Sequence, residues 1–220
     1  MNEPLRVTVF DYGAGNLHSL IKALERGDTR VRVDTDPVTV LRDSDALILP
    51  GVGAFTPAAD RIASGRDAMR SALRDGLPCL GICLGMQLLF SGSDEGPGDG
   101  LAIFDGRVTQ LQATRIPQIG WNTLDEITDT LVRVSGLSIA YYANSFVCRP
   151  HSEDDRRAVV AWSTHETDRF PAVVRRDNVW GMQFHPEKSS RAGVQCVHAF
   201  LDEALRVRDT RFSSPLTVTS

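Results

Sequence analysis

The sequence predicts a three-layer α/β domain, in which a mixed, mostly parallel central sheet has helices on both faces and gains antiparallel strands in its second half. The first half alternates apolar strand-like segments with glycine-rich loops and amphipathic helices. The second half has short strand-like segments separated by turns. At 220 residues the chain suits one domain with a sizeable core. We therefore expect a single domain over residues 1–206 and a frayed tail at 207–220.

The first strand and helix are separated by a glycine-rich loop. Residues 5–10 lack the alternation of a half-exposed strand, as expected for a central parallel strand. Residues 11–16 form the loop, and apolar residues then recur at helical spacing over 17–24. Asn16 is the predicted cap of this helix. A dinucleotide site is disfavoured because the third glycine of that fingerprint is absent.

Up to residue 90 the chain continues to alternate strands, loops and helices. After residue 90 it consists mainly of strands and turns. Strands are expected at 31–33, 46–49 and 77–82, with helices at 55–62 and 67–73. Residues 91–100 are rich in Gly, Pro and Asp and predict a loop. Later strands are expected at 106–111, 121–124, 139–147, 158–163, 170–175 and 179–184, with a turn at 177–178 and a last helix over 191–206.

Composition excludes several classes of function. Lys and Arg number 24 against 28 Asp and Glu, with no basic block, so neither nucleic acid nor an anionic membrane surface is an expected partner. No run approaches the roughly 20 apolar residues of a membrane span. The four cysteines are scattered in a sequence without a secretory signal, and none forms part of a zinc-like pair. We expect a cytoplasmic protein without metal or cofactor.

Cys83 occupies the turn between a strand and a helix. It stands between Gly81 and Gly85, after a short apolar run and before the helical pattern that reaches Phe90. This strand, glycine-flanked turn and helix form the sequence pattern of a nucleophile elbow, with cysteine in place of serine. A helix N-terminus favours the thiolate that attacks. The alternative is a buried structural cysteine.

A second pair of glycines ends the neighbouring strand. Gly51 and Gly53 follow the strand at 46–49. In elbow hydrolases one oxyanion donor is the amide after the nucleophile, and the other comes from such a loop. The expected donors are the amides of Leu84 and of Gly51 or Val52.

A cysteine nucleophile needs a base, and the base needs a residue that orients it. His185 follows the strand expected at 179–184, and Glu187 lies two residues on, across a proline. The predicted triad is Cys83, His185 and Glu187. The other histidines lie in helices or charged loops without such an acid: His18, His151, His165 and His198.

Two motifs carry a family resemblance. The sequences Gly-Ile-Cys-Leu-Gly-Met-Gln and Gln-Phe-His-Pro-Glu-Lys-Ser resemble the class I (triad) glutamine amidotransferases, which have a flavodoxin-like fold. Narrower features resemble the glutaminase subunits of imidazole glycerol phosphate synthase, which serve histidine biosynthesis; they are Asp11-Tyr-Gly-x-Gly-Asn-Leu-His-Ser19, Leu49-Pro-Gly-Val-Gly-Ala-Phe55, Ile119-Gly-Trp-Asn122 and His185-Pro-Glu-Lys-Ser-Ser190.

The resemblance implies an activity, a substrate site and a partner. Cys83 would attack the side-chain amide of L-glutamine, and the released ammonia would pass directly to a cyclase subunit, a (β/α)8 barrel, in a heterodimer. Gln87 matches a position that holds substrate, and Ser145 and Phe146 match the segment whose backbone receives the α-carboxylate. The positions implied at the interface are Asn16, Trp121, Tyr141 and Lys188.

The chain departs from the family at two places, and other functions stay open. The family usually has His-Ser-Tyr at 144–146 and His at 118, where this chain has Asn144-Ser145-Phe146 and Gln118. One alternative is a glutaminase that serves an anthranilate, GMP or surface-sugar synthase. Others are a non-catalytic module of the same fold and a cysteine peptidase or esterase.

Overall fold

The strands and helices follow in a mostly alternating order along the chain. The computed structural model describes residues 3–13, 15 and 17–213, with side chains through Arg211. Its strands are β1 Leu5–Phe10, β2 Thr29–Asp34, β3 Ala46–Leu49, β4 Cys79–Ile82, β5 Gly92–Ser93, β6 Gly106–Gln110, β7 Gln118–Thr123, β8 Ile139–Asn144, β9 Phe146–Pro150, β10 Val159–His165, β11 Asp168–Arg176 and β12 Val179–Met182. Its α-helices are α1 His18–Leu24, α2 Phe55–Ile62, α3 Arg66–Arg74, α4 Leu84–Leu88, α5 Thr130–Ser135, α6 Glu153–Arg157 and α7 Ser190–Ser213.

The central sheet has seven strands in the order β10-β11-β12-β4-β3-β1-β2. The strands from β12 to β2 are parallel, whereas β11 pairs antiparallel with both β10 and β12. Every residue of β3, β4 and β12 is buried, as expected for strands covered on both faces. The predicted fold class, a mostly parallel sheet with antiparallel additions, is confirmed.

The helices cover both faces of this sheet. The chain moves outward from β1 to β2 through α1, and in the opposite direction from β3 to β4 through α2 and α3. Because such crossovers are right-handed, helices on connections that run in opposite directions lie on opposite faces. Helix α7 packs on α1 and β1. This reversal of direction between β1 and β3 leaves a crevice at the carboxyl ends of the strands.

Two small sheets outside the central one correct the prediction for the second half. Strands β5, β6 and β9 form one, and β7 and β8 form the other. The single strand expected at 139–147 is two strands separated by Ser145. Before Ser145, β8 pairs with β7; after it, β9 pairs with β6. Residues 92–93, expected in a loop, pair with β6. The strand expected at 179–184 ends at Met182.

Two short helices were not predicted, although both have recognisable caps. The Asp129 side chain accepts from the Val132 amide at the start of α5, which ends at Gly136 in the left-handed conformation. The Ser152 side chain accepts from the Asp155 amide at the start of α6. Each helix is too short to show a helical period, so the pattern of apolar residues did not reveal it.

The last helix is longer than predicted. Helix α7 runs to Ser213, so it includes residues 207–213 of the predicted tail. Arg208 donates to the Glu3 carbonyl at 2.8 Å, and Arg211 donates to the Asp75 carbonyl at 2.9 Å. These contacts tie the end of α7 to the domain. The rest of the predicted tail, 214–220, lies outside the described residues, and none of the described helices combines the length and apolarity needed to cross a membrane.

Candidate active site

Three adjacent parallel strands deliver the predicted site residues to one edge of the sheet. Strand β4 lies between β3 and β12, with Gly81 paired to Leu49 on one side and to Gly181 on the other. The chain leaves β3 at Pro50, leaves β4 at Cys83 and leaves β12 at Gln183. Segments distant in sequence therefore meet at the carboxyl ends of these strands.

Cys83 has the backbone conformation of a nucleophile elbow. Its φ is 50° and its ψ is −104°, an uncommon combination for a residue with a side chain. Its amide donates to the Met182 carbonyl at 2.6 Å, which holds the turn against β12. A Cβ atom at Gly81 would lie 2.6 Å from the Gly85 carbonyl oxygen, and one at Gly85 would lie 2.0 Å from that of Leu49. Both flanking glycines are therefore required by close backbone contacts.

His185 is buried beside Cys83 and is held by Glu187. Its Nδ1 lies 2.9 Å from Glu187 Oε1, and its ring is 2% exposed. Pro186 begins a 3₁₀ helix, Pro186–Lys188, which turns the Glu187 side chain back toward the ring. Burial lowers the pKa of His185, but hydrogen bonds and charge interactions with Cys83 and Glu187 outweigh it and raise this pKa to about 9. The ring is therefore protonated at neutral pH and can give a proton to a leaving group beside Cys83.

The backbone around His185 is held by strand β8. The His185 amide donates to the Tyr141 carbonyl at 2.9 Å. The Ser189 hydroxyl donates to the His185 carbonyl at 2.7 Å and accepts from the Tyr141 amide at 2.9 Å. Beyond the end of β12 at Met182, these bonds fix the His185 backbone against Tyr141 of β8.

The loop after β3, residues 50–53, lies against the elbow; we name it the oxyanion loop for its predicted role. A Cβ atom at Gly51 would lie 3.0 Å from the Cys83 Cβ and 2.6 Å from the Ile82 carbonyl oxygen, so this backbone is in close contact with the elbow. Leu84 is the first residue of α4, where an amide has no acceptor within the helix. The two predicted donor segments thus flank the cysteine.

A cavity of about 280 Å³ opens at Cys83. Nine of the predicted site residues line it: Gly51, Val52, Cys83, Leu84, Gln87, Ser145, Phe146, His185 and Lys188. A larger groove, of about 490 Å³, lies along β1 and β2, but among the described residues its lining has neither cysteine nor histidine. The smaller cavity is the better candidate because it contains the nucleophile and the base.

Two side-chain amides hold one wall of this cavity. Gln87 Nε2 and Asn144 Nδ2 each donate to the Phe146 carbonyl at 3.1 Å. The Ser145 carbonyl accepts from the Leu111 amide at 2.9 Å. Both carbonyls are thus turned toward protein donors, and the Ser145–Phe146 segment is held at the wall of the cavity. Asn144, at one of the departures from the family pattern, takes part in this arrangement.

Two residues at the site were missed by the sequence analysis. Glu95 lines the cavity, and its Oε2 accepts from the Phe55 amide at 3.1 Å. No local signal marked this residue, because it lies in an irregular loop. Gln183 is fully buried, and its Nε2 donates to Cys83 Sγ at 3.6 Å. Its position two residues before His185 could have suggested a place near the sulfur.

The residues implied at a partner interface lie beside the cavity or outside the described chain. Trp121 is 56% exposed on β7, and its ring meets that of Tyr141 edge to face, with 6.1 Å between centroids. Ile119 and Ile139, exposed on the same face of the β7–β8 ribbon, extend this apolar surface. Lys188 is exposed at the mouth of the cavity. Asn16, also the predicted cap of α1, lies outside the described residues.

Comparisons with known proteins agree over nearly the whole chain. The model of the family Glutamine amidotransferase class-I matches residues 8–204. The Imidazole glycerol phosphate synthase subunit HisH of Halobacterium salinarum is 42% identical over 207 residues, which cover 89% of this chain and 92% of that protein. The protein of the same name from Natronomonas pharaonis is 39% identical over 210 residues, 90% of this chain and 95% of that protein.

A solved structure has the same fold. The crystal structure of a glutamine amidotransferase superposes with a TM-score of 0.69 over 90% of this chain and 98% of that chain. The two sequences are 21% identical, so this likeness bears on the fold alone.

Proposed function

Because this chain belongs to the class I glutamine amidotransferase family, we propose that it is the glutaminase subunit of an imidazole glycerol phosphate synthase. In this role it hydrolyses L-glutamine to glutamate and ammonia. The observation that carries the proposal is the buried arrangement of Cys83, His185 and Glu187 beside a cavity. The two HisH relatives, which are similar over about nine-tenths of the chain, support the choice of this synthase.

The first half of the reaction forms a thioester. The Cys83 thiolate attacks the side-chain carbonyl carbon of glutamine, and negative charge develops on the carbonyl oxygen. The amides of Leu84 and of Gly51 or Val52 would stabilise that charge; one such donor typically contributes about 3 kcal/mol. Protonated His185 gives its proton to the amide nitrogen, the C–N bond breaks, and ammonia leaves.

The second half releases glutamate. His185, now neutral, removes a proton from a water molecule, and the water oxygen attacks the thioester carbon. The C–S bond then breaks and restores the thiolate beside protonated His185. Glu187 keeps the ring in the required orientation and stabilises its positive charge in both halves.

The cavity offers groups for both ends of free glutamine. Among the described residues that line the cavity, Glu95 supplies the carboxylate, which is suited to bind the α-ammonium group. The backbone of Ser145 and Phe146, held by Gln87 and Asn144, is suited to receive the α-carboxylate. These contacts would orient the carboxamide toward Cys83 and would select a free amino acid over a glutamine residue within a peptide.

The product ammonia requires a partner. Ammonia in water at neutral pH is mostly protonated and lost, so it must pass directly to the synthase that uses it. The exposed apolar face of the β7–β8 ribbon, including Trp121 and Tyr141, would dock the cyclase subunit, a (β/α)8 barrel. Tyr141 contacts the His185 backbone, so this docking surface would lie next to the site of ammonia release.

Genetic complementation tests the proposal. We expect the gene to restore growth without histidine to an auxotroph that lacks this glutaminase subunit and retains the cyclase. The variant Cys83→Ala should fail on minimal medium but grow when ammonium salts are abundant, because the cyclase can then take ammonia from solution. Failure of the wild-type chain to rescue, despite expression and complex formation, would contradict the choice of synthase and favour an anthranilate or GMP synthase partner.

A further inference from the structure

The hydroxyl of Tyr12 reaches from the loop after β1 to the oxyanion loop. Tyr12 is 5% exposed, and its hydroxyl donates to the carbonyl of Pro50, which is also buried. The Phe10 ring packs edge to face against the Tyr12 ring, with centroids 5.7 Å apart, and restricts its orientation. The two loops also approach each other at Gly15, where an added Cβ atom would lie 3.8 Å from Val52 Cγ2. Tyr12 therefore contributes more than apolar packing, because its hydroxyl is fixed against the oxyanion loop.

A hydrogen bond to the Pro50 carbonyl also determines the direction of the next amide. In a planar trans peptide the C=O and the N–H point in opposite directions. The peptide between Pro50 and Gly51 is trans, since the cis bond among the described residues is Ile116–Pro117. While Tyr12 holds the Pro50 carbonyl, the Gly51 amide must point away from Tyr12.

Among the described residues, the packing of Gly51 against the elbow is the other restraint on this peptide, and the oxyanion loop itself adds few. Gly51 and Gly53 lack side chains, and Gly53 has a φ of +123°, which is accessible to glycine at low cost. Pro50 has no amide hydrogen to contribute. Burial, with nearby Cys83 and Asp11, raises the pKa of Tyr12 well above its ordinary value, so the hydroxyl keeps its proton across the physiological range.

We propose that Tyr12 is a positioning residue for glutamine hydrolysis: its hydroxyl holds the Pro50 carbonyl and so keeps the Gly51 backbone aligned toward the oxyanion. This role rests on the proposed glutaminase function. It concerns the stabilisation of charge in the transition state and leaves the binding of glutamine and the reactivity of the sulfur to other residues.

Tyr12→Phe, assayed in the complex with the cyclase subunit, separates these contributions. Removing an oxyanion donor typically lowers kcat by about 10²- to 10³-fold. A donor that is only misdirected should lose part of this effect, so we expect kcat to fall about 10- to 100-fold. The KM for glutamine should stay within about twofold, and the rate at which iodoacetamide alkylates Cys83 should not change, because alkylation develops no oxyanion. Tyr142→Phe is the matched control: it removes another buried hydroxyl, one that pairs with Ser163, and should leave kcat unchanged.

Two substitutions at the same position complete the test. 4-Fluorophenylalanine at position 12 fills the space of the hydroxyl without donating, so it should lower kcat as Tyr12→Phe does even if the latter folds poorly. 4-Aminophenylalanine restores a donor and should recover most of the activity. An unchanged kcat in the non-donating variants would overturn the inference, as would a parallel loss of alkylation or an effect confined to KM. If the wild-type complex does not hydrolyse glutamine, the proposed function itself fails.

Discussion

His185 Nδ1 lies 2.9 Å from Glu187 Oε1, and the two side chains are 2% and 7% exposed. This pairing leaves Nε2 as the ring nitrogen available to the sulfur of Cys83. A charged pair this well buried is screened little by solvent, so the carboxylate has a strong influence on the ring. The pH dependence of the reaction should therefore depend on Glu187.

Glu187→Gln should move the alkaline limit of activity to lower pH. In the wild type, the pKa of about 9 keeps His185 protonated below that pH, and activity should fall as the pH rises through it. Without the charge of Glu187 the pKa falls toward its ordinary value, so the ring loses its proton earlier on the alkaline side. The measurement is kcat/KM against pH in the complex, with Glu153→Gln, an exposed residue of α6, as control. Coincident alkaline limits for variant and wild type would contradict the role of Glu187.

Glu95→Gln should weaken the binding of glutamine more than it slows the chemistry. Glutamine at position 95 keeps an acceptor for the Phe55 amide but removes the charge that would pair with the α-ammonium group. We expect KM to rise by about 10-fold or more with kcat within a few-fold, since charged hydrogen bonds contribute about 1.5–3 kcal/mol. A loss in kcat alone would place Glu95 outside the substrate site.

Gly85→Ala should destabilise the fold through the elbow. The new methyl group would lie 2.0 Å from the Leu49 carbonyl oxygen, a backbone atom that cannot move without disturbing β3. We expect a loss of about 3 kcal/mol or more in the free energy of unfolding, measured with urea, because overpacking against backbone cannot relax. Gly27→Ala is the control, since a Cβ atom there meets nothing within 4 Å. Equal stabilities for the two variants would refute the close contact.

Trp121→Ala should weaken association with the cyclase while the isolated subunit stays folded. The side chain is 56% exposed, so its removal leaves no cavity in the core, and an aromatic anchor at an interface often contributes about 2 kcal/mol or more. The dissociation constant should rise about 30-fold by titration calorimetry. Val134→Ala, which removes an exposed apolar residue of α5, serves as control. Unaltered affinity in Trp121→Ala would exclude this face as the docking surface.

The elbow and the His-Pro-Glu segment could be predicted because their constraints are local. Glycines on both sides of Cys83 indicate a tight turn there, and a proline between His185 and Glu187 indicates a restricted backbone. In both cases the residues that reveal the conformation are adjacent in sequence. Strand partners are set by distant segments, which is why the exchange of partners at Ser145 escaped prediction.

The contacts made by Tyr12 and Glu95 depend on tertiary structure in the same way. Tyr12 reaches the Pro50 carbonyl across two loops, and Glu95 enters the cavity from an irregular segment. No pattern in the adjacent residues predicts either contact, so both are seen only in the folded structure.

The most direct test of the central claim is glutamine turnover by purified Cys83→Ala in the complex with the cyclase, measured as glutamate formed. Losing the nucleophile should reduce kcat by about 10⁴-fold or more, as the loss of a catalytic nucleophile does in other triads. Cys196→Ala, which alters a buried cysteine of α7, should retain activity. Glutamate formation at the wild-type rate in Cys83→Ala would contradict the account.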